Sequence, residues 1–253
     1  MTTEKSPLIG ITMGIGPDGS RNGRDFLSYS TAVRNGGGEA VSLGHGRHGR
    51  FDECDGLLLS GGCDVHPKHV KRLPGDEELT DDEVMAKYKI KTEKMRDEVE
   101  MRMARQALKQ GKPVLGICRG FQVLGVALGC TLIGDITTFK PNTLVHYAVN
   151  GISSRHEIKI EPGSLMERVY NSTSIVINSR HHQGFTPELI SDKLQVTAIA
   201  PDGIVEAAEM PGYNFVVGVQ WHPEKQSDEF INSISVPLFR AFVDASAQWR
   251  RSQ

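Results

Sequence analysis

The sequence predicts an α/β fold: a doubly wound, mainly parallel sheet with helices on both faces, joined to extra short antiparallel strands. Three observations predict it. Short apolar runs suited to buried strands alternate with helical patterns through the first half of the chain, and parallel neighbours require such crossover connections. The run Val114–Ile117 turns sharply at Cys118 into a helical pattern, with Gly116 and Gly120 two residues to either side. Beyond Gly129 the apolar runs alternate and are punctuated by turn signals such as Pro201-Asp-Gly203, the habit of antiparallel strands.

In order, Leu8–Met13 reads as the first strand, and Asp25 opens a helix to Asn35 that carries Phe26, Tyr29, Ala32 and Val33 on one face. The glycines Gly36-Gly-Gly38 stop it, and Ala40–Leu43 follows as a strand. Asp55–Gly62 is a buried strand opening into a paired-glycine loop. After a polar loop over Leu73–Leu79 comes a highly charged helix, in which Met95, Val99, Met103, Ala104, Ala107 and Leu108 form the buried stripe and the charges a solvated face. The strand Val114–Ile117 leads through Cys118 into a helix packed by Phe121, Val123, Leu124, Ala127 and Leu128. Short strands are expected at Thr131–Ile133, Glu157–Ile160, Ser174–Ile177, Leu194–Ala198 and Ile204–Ala207. A last apolar strand, Phe215–Gln220, runs into Trp221-His-Pro-Glu224, and a helix over Ile231–Trp249 covers the sheet. No repeat or linker divides the chain, so residues 1–253 read as one domain.

Composition excludes several function classes. The net charge of -2 arises from interleaved signs, so there is no basic field for nucleic acid. No uncharged run is long enough to cross a bilayer and the N-terminus has no apolar signal core, which predicts a cytoplasmic protein with no membrane partner. Four cysteines, Cys54, Cys63, Cys118 and Cys130, are too few for a disulfide scaffold. The loop Gly14–Gly19 lacks the Lys-Ser/Thr of a phosphate-binding loop, and His66-Pro-Lys-His69 lacks a third ligand cluster. Neither a nucleotide nor a metal is expected.

The chemistry centres on Cys118. A glycine-flanked turn from buried strand to helix is the cysteine form of the nucleophile elbow, and it holds the sulfur at the positive end of a helix, where a thiolate is favoured. Backbone amides at Gly61-Gly62 suit an oxyanion hole, and an ordinary strand-ending turn suits that stretch equally well. A nucleophilic cysteine needs a base and a group to orient it. His222 and Glu224 lie two apart after a buried strand, where extended backbone puts alternate side chains on one side, and Pro223 keeps His222 extended.

Gly116-Ile-Cys-Arg-Gly-Phe-Gln122 with Gln220-Trp-His-Pro-Glu224 resembles the class I glutamine amidotransferase superfamily. Leu59-Ser-Gly-Gly-Cys-Asp-Val65, Arg96-Asp97 with Glu100, Ile177-Asn-Ser-Arg-His-His-Gln183 and Pro201-Asp-Gly-Ile-Val-Glu206 look like its gamma-glutamyl-gamma-aminobutyrate hydrolase branch. The resemblance implies Cys118 as nucleophile, His222 as base, Glu224 as its orienting carboxylate, and an oxyanion hole from the backbone N–H groups of Gly62 and Arg119. It implies that Gln122 holds the gamma-glutamyl group and that Ser179, His181, His182 and Gln183 belong to the loop recognising its amino and carboxylate ends; the His-His pair suits packing or metal ligation equally. A small-molecule gamma-glutamyl substrate and no cofactor follow from it. The sequence departs from the family pattern at Val70, where Tyr is common, and in the Gly14–Arg24 loop, so the leaving-group side of the pocket is unread. The first expectation is a hydrolase of gamma-glutamyl amines. The alternatives are a glutaminase subunit delivering ammonia to a separate synthetase and an inactive gamma-glutamyl-binding protein; occupancy of every triad position argues against the last. A homodimer stays open.

Overall fold

Runs such as Leu57-Leu-Leu59 and Val114-Leu-Gly-Ile117 offer no polar face to solvent, so the sheet they build must be covered on both sides. The computed structural model describes residues 5–14, 23–44, 48–93, 95–225 and 229–253. The strands are β1 (Leu8–Ile11), β2 (Glu39–Ser42), β3 (Gly56–Leu59), β4 (Val114–Ile117), β5 (Ser154–Ile160), β6 (Ser174–Ser179), β7 (Gln195–Ile199), β8 (Val205–Glu209) and β9 (Val216–Val219). The helices are α1 (Gly23–Asn35), α2 (Asp81–Tyr88), α3 (Arg96–Lys109), α4 (Arg119–Leu128), α5 (Ile136–Phe139), α6 (Leu165–Tyr170) and α7 (Glu229–Arg251).

Among the described residues, all nine strands join one sheet in the order β2-β1-β3-β4-β9-β8-β7-β5-β6. The first five are parallel and the rest extend it antiparallel. Alternation along each strand divides the core. Leu58, Leu115 and Val217 pack with Val33, Phe239 and Phe242 of α1 and α7. Leu57, Leu59, Val114 and Val216 pack with Met101, Ala104, Phe121 and Leu124 of α3 and α4 on the other face. This is the predicted α/β architecture.

Several expectations need correction. The single charged helix is two, because Lys89 ends α2 in the left-handed conformation and Ile90 then turns inward and is buried. Met95, assigned to the buried stripe, is 62% exposed at the N-cap of α3, while Arg96, Asp97 and Glu100 are buried. Thr131–Ile133 forms no strand; Ile133 makes an isolated bridge to Gly184 and owes its apolar character to burial. The Gly14–Arg24 loop falls almost wholly outside the described residues.

One close approach fixes the sheet's ligand-facing edge. A Cβ on Gly120 would sit 1.9 Å from the Leu59 carbonyl oxygen, and one on Gly116 would sit 2.8 Å from the Gly120 backbone. The first turn of α4 therefore lies directly on β3 and β4. Gly120→Ala is expected to cost about 3 kcal/mol or more in urea unfolding, as overpacking against backbone does. Gly75→Ala, at φ 88° with open space around it, should cost only about 1 kcal/mol of conformational strain. Equal losses would mean that α4 shifts freely away from β3.

Candidate active site

The end of β4 places the cysteine. β4 and β9 run side by side with Ile117 opposite Val219, and the Cys118 amide donates to the Val219 carbonyl at 2.8 Å. Cys118 itself adopts φ 51°, ψ -108°, a strained conformation for any side chain beyond glycine. Its carbonyl accepts from Phe121 and Gln122 as α4 begins. Because β9 ends beside Cys118, the residues following it arrive at the sulfur.

His222 is one of them. Its Nδ1 lies 2.7 Å from Glu224 Oε1; a carboxylate only accepts, so Nδ1 carries the proton and Nε2 is left for the Cys118 sulfur, whose charge helps to raise the imidazole pKa. The backbone is held as well: the His222 amide donates to Asn178 Oδ1 at 2.9 Å, and Asn178 Nδ2 donates to the His222 carbonyl at 3.1 Å. Burial pulls the imidazole pKa down, but the charges of Glu224 and Cys118 and the hydrogen bond to Glu224 outweigh it and raise it to about 10. Burial pushes the Glu224 carboxyl up, and the His222 charge overcomes this to hold it below the usual range.

The loop after β3 forms the opposite wall. A Cβ on Gly61 would lie 3.0 Å from His222 Cε1, and the Gly61 amide donates to the Tyr29 hydroxyl at 2.9 Å. Burial, reinforced by the Glu224 charge, raises the Tyr29 pKa well above its ordinary value, so the phenol is neutral. Gly62 has φ 150°, and a Cβ there would meet Arg96 Nη1 at 2.1 Å. A cleft lined by Tyr29, Gly61, Gly62, Arg96, His222 and Lys225 opens onto the imidazole.

Beneath this wall lies a buried charge layer. Arg96 donates from Nε to Glu100 Oε1 at 2.9 Å, from Nη1 to Glu93 at 3.0 Å, and from Nη2 to Ser60 Oγ at 2.9 Å and the Gly61 carbonyl at 2.8 Å. Arg119 donates to Glu100 Oε2 and to Asp97. Burial alone would raise the Glu100 pKa, but the charges of Arg119 and Arg96 lower it.

The sequence-derived site residues fall into two groups. Cys118, His222 and Glu224 come together; Arg119 follows the cysteine as the first residue of α4, and Gly62 lines the cleft that opens onto His222. Gln122, on α4, donates to the Gln183 carbonyl at 3.2 Å, so the segment 179–183 abuts the elbow. Within that segment the side chains are engaged elsewhere. Ser179 Oγ donates to the His146 carbonyl at 2.8 Å, and His181 Nδ1 faces the Gln183 carbonyl at 2.9 Å. Gln183 Oε1 accepts from the Val65 amide at 3.1 Å. His182 lies between Asp64 and Asp135, at 3.0 and 3.3 Å, and its pKa is raised chiefly by the hydrogen bond to Asp64.

Sequence reasoning missed Asn178 and Tyr29. Tyr29 reads as one more residue of a helix's apolar face; the signal was its hydroxyl, which needs a partner when buried. It also missed a buried cluster of His146, His156, His181 and Glu206. Ring nitrogens of the three histidines lie 3.3, 3.1 and 3.6 Å from one oxygen, Glu206 Oε1, and His146 Nε2 lies 2.8 Å from Asp202. Burial lowers the His146 pKa, but the hydrogen bond to Asp202 and the Glu206 carboxylate raise it to about 9. Of the contacts to Glu206 only that of His156 is a hydrogen bond; His181 Nε2 and Glu206 Oε2 are buried without a partner, and the donor atoms of His146, His156 and Glu206 lie within 4.8 Å of one another, a set that could hold a metal ion.

Residues 7–224 match the peptidase C26 family model. A Mycobacterium tuberculosis protein named as a glutamine amidotransferase is 35% identical over 205 residues, covering 80% of this chain and 60% of its own length. The gamma-glutamyl-gamma-aminobutyrate hydrolase of Escherichia coli O157:H7 is 31% identical over 230 residues, 86% of this chain and 84% of that protein. Among solved structures, a Thermotoga maritima glutamine amidotransferase superposes with a TM-score of 0.62 at 13% identity, covering 96% of this chain and 99% of that one. The glutaminase domain of Trypanosoma brucei CTPS, solved with acivicin bound, gives 0.62 at 18% identity, covering 96% and 94%. These two likenesses speak to the fold. Together with the matched span and the identity to the hydrolase, they lead to one statement of kinship: the chain belongs to the peptidase C26 family of class I glutamine amidotransferase-like proteins.

Proposed function

We propose that this protein hydrolyses the gamma-glutamyl amide bond of a gamma-glutamyl amine, such as gamma-glutamyl-gamma-aminobutyrate, to glutamate and the free amine. The observation that carries the reading is the Glu224–His222 hydrogen bond of 2.7 Å behind an imidazole electrostatically coupled to a cysteine at a strained strand-to-helix turn. The Cys118 thiolate attacks the amide carbonyl, and the negative charge that develops on oxygen is met by the N–H groups of Gly62 and Arg119. The His222 imidazolium, held by Glu224, gives its proton to the departing amine. Neutral His222 then takes a proton from water, which opens the gamma-glutamyl thioester and restores the thiolate. Every step uses groups of this chain. Gln122 and the segment 179–183 form the glutamyl side of the pocket, with His182 more accessible than the buried Ser179, His181 and Gln183. A reducing compartment such as the cytoplasm suits a nucleophile that must stay a thiol.

Purified protein should turn over gamma-glutamyl-gamma-aminobutyrate with a kcat/KM at least about tenfold above that for glutamine, a modest discrimination for one pocket. Glutamine hydrolysis that rises to a comparable value only when a synthetase is added would instead make this chain a glutaminase subunit. Cys118→Ala should lower kcat by about a thousandfold or more; near-normal turnover would refute its assignment as nucleophile.

The raised pKa of His222 sets the pH response. The imidazolium persists below about 10 and is lost as pH rises through that value, well above the ordinary 6.5 of a histidine. kcat/KM should therefore hold through pH 9 and fall on an alkaline limb near 10. Glu224→Gln removes the largest influence that raises this pKa, so the limb should move toward neutral by about one unit or more. An unmoved limb would assign it to another group.

A further inference from the structure

We propose that Arg96 is a positioning residue that aims the oxyanion-binding N–H of Gly62, and that Glu100 sets its distance from the matching donor on Arg119. The inference rests on the hydrolase reading above for its substrate, and on the geometry for its mechanism. In a trans peptide the carbonyl and the following N–H point in opposite directions within one rigid plane. Arg96 Nη2 holds the Gly61 carbonyl at 2.8 Å, so it fixes the plane that also carries the Gly62 N–H and turns that N–H away from the charge layer. The Gly61 amide is fixed in turn by the Tyr29 hydroxyl. A side chain on Gly62 would displace the guanidinium, since its Cβ would stand 2.1 Å from Nη1; the paired glycine is what lets Arg96 reach the peptide.

The second donor is tied to the same carboxylate. Glu100 binds Arg96 through Oε1 and Arg119 through Oε2, and Arg119 is the residue after Cys118. One side chain on α3 thus links the loop that carries Gly62 to the residue that follows the sulfur. An oxyanion hole gains its strength from donors fixed before charge develops, and a buried guanidinium whose other nitrogens are held by Glu100 and Glu93 is suited to holding a peptide carbonyl still.

The test separates aiming from folding and from substrate choice. Alkylation of Cys118 by iodoacetamide needs a thiolate but forms no oxyanion at a carbonyl. Acylation by p-nitrophenyl acetate needs both, whatever amide the enzyme prefers. Arg96→Lys keeps a cation for Glu100 and Glu93 but cannot also grip the Gly61 carbonyl. In folded Arg96→Lys, acylation and kcat on gamma-glutamyl-gamma-aminobutyrate should fall about 10- to 100-fold, with KM within about threefold and alkylation within about twofold of wild type. Should that variant fail to fold, Ser60→Ala removes one acceptor of Nη2 and should slow acylation about three- to tenfold, again with alkylation unchanged. Unchanged acylation in whichever variant folds, a parallel fall in alkylation, or wild-type acylation no faster than that of Cys118→Ala would overturn the proposal. Wild-type protein that is acylated by the ester yet leaves gamma-glutamyl amides intact would sink the substrate reading alone, and the Arg96 comparison would still decide this one.

Discussion

The close packing of α4 on the sheet is the constraint from which the site follows. Gly120 rests on the Leu59 carbonyl and Gly116 on the Gly120 backbone, so the chain has no room for an ordinary loop between β4 and α4 and must reverse within the single residue Cys118. The strained backbone there is the consequence, and the helix N-terminus is brought to the sulfur by the same turn. Because β9 is the parallel neighbour of β4, its continuation supplies the imidazole. Sheet order, more than any one contact, decides that His222 meets Cys118.

The same packing explains a charge layer that is costly on its face. Arg96, Asp97, Glu100 and Arg119 are all buried, and desolvating such groups costs several kcal/mol per ion before their pairing returns it. Well-packed hydrophobic residues would hold α3 against α4 at least as firmly. What apolar side chains lack is direction: a guanidinium fixes the orientation of the carbonyl it binds. The charges lie where two backbones must be held at a set separation.

Much of this was legible in the sequence because strand and elbow patterns depend on local volume and periodicity. Gly116 and Gly120 around Cys118, the apolar run of β9, and the two-residue spacing of His222 and Glu224 each reflect a constraint visible within a few residues. The break between α2 and α3 was not, because it depends on Lys89 taking the left-handed conformation so that Ile90 folds back on Val84 and Tyr88, and the charged pattern continues through it. Arg96, Asp97 and Glu100 were misplaced for a related reason. On a helix full of charges the default is a solvated face, and only Arg119, from another element, makes Asp97 and Glu100 buried partners, with Glu100 in turn holding Arg96. The roles of Ser179, His181 and Gln183 rest on backbone paths that side-chain types do not encode.

The position of Asn178 shows how the antiparallel half contributes. β6 lies four strand spacings from β9 in the sheet order, about 19 Å across a flat sheet, yet Asn178 hydrogen-bonds both backbone groups of His222. The sheet must therefore curl back on itself. β5 is paired to β7 only at Lys159 and Ile160, and β7 meets β8 through two register shifts, irregularities that increase bend and twist. The far end of the β5–β6 pair, where Ser154 faces Ser179, is thus able to swing over the carboxyl ends of the parallel strands. A strand at the sheet's edge comes to clamp the base at its centre, and the segment 179–183 is carried to Gln122 by the same curl. Changes that flatten the β7–β8 irregularity would act on His222 without touching any residue that reacts.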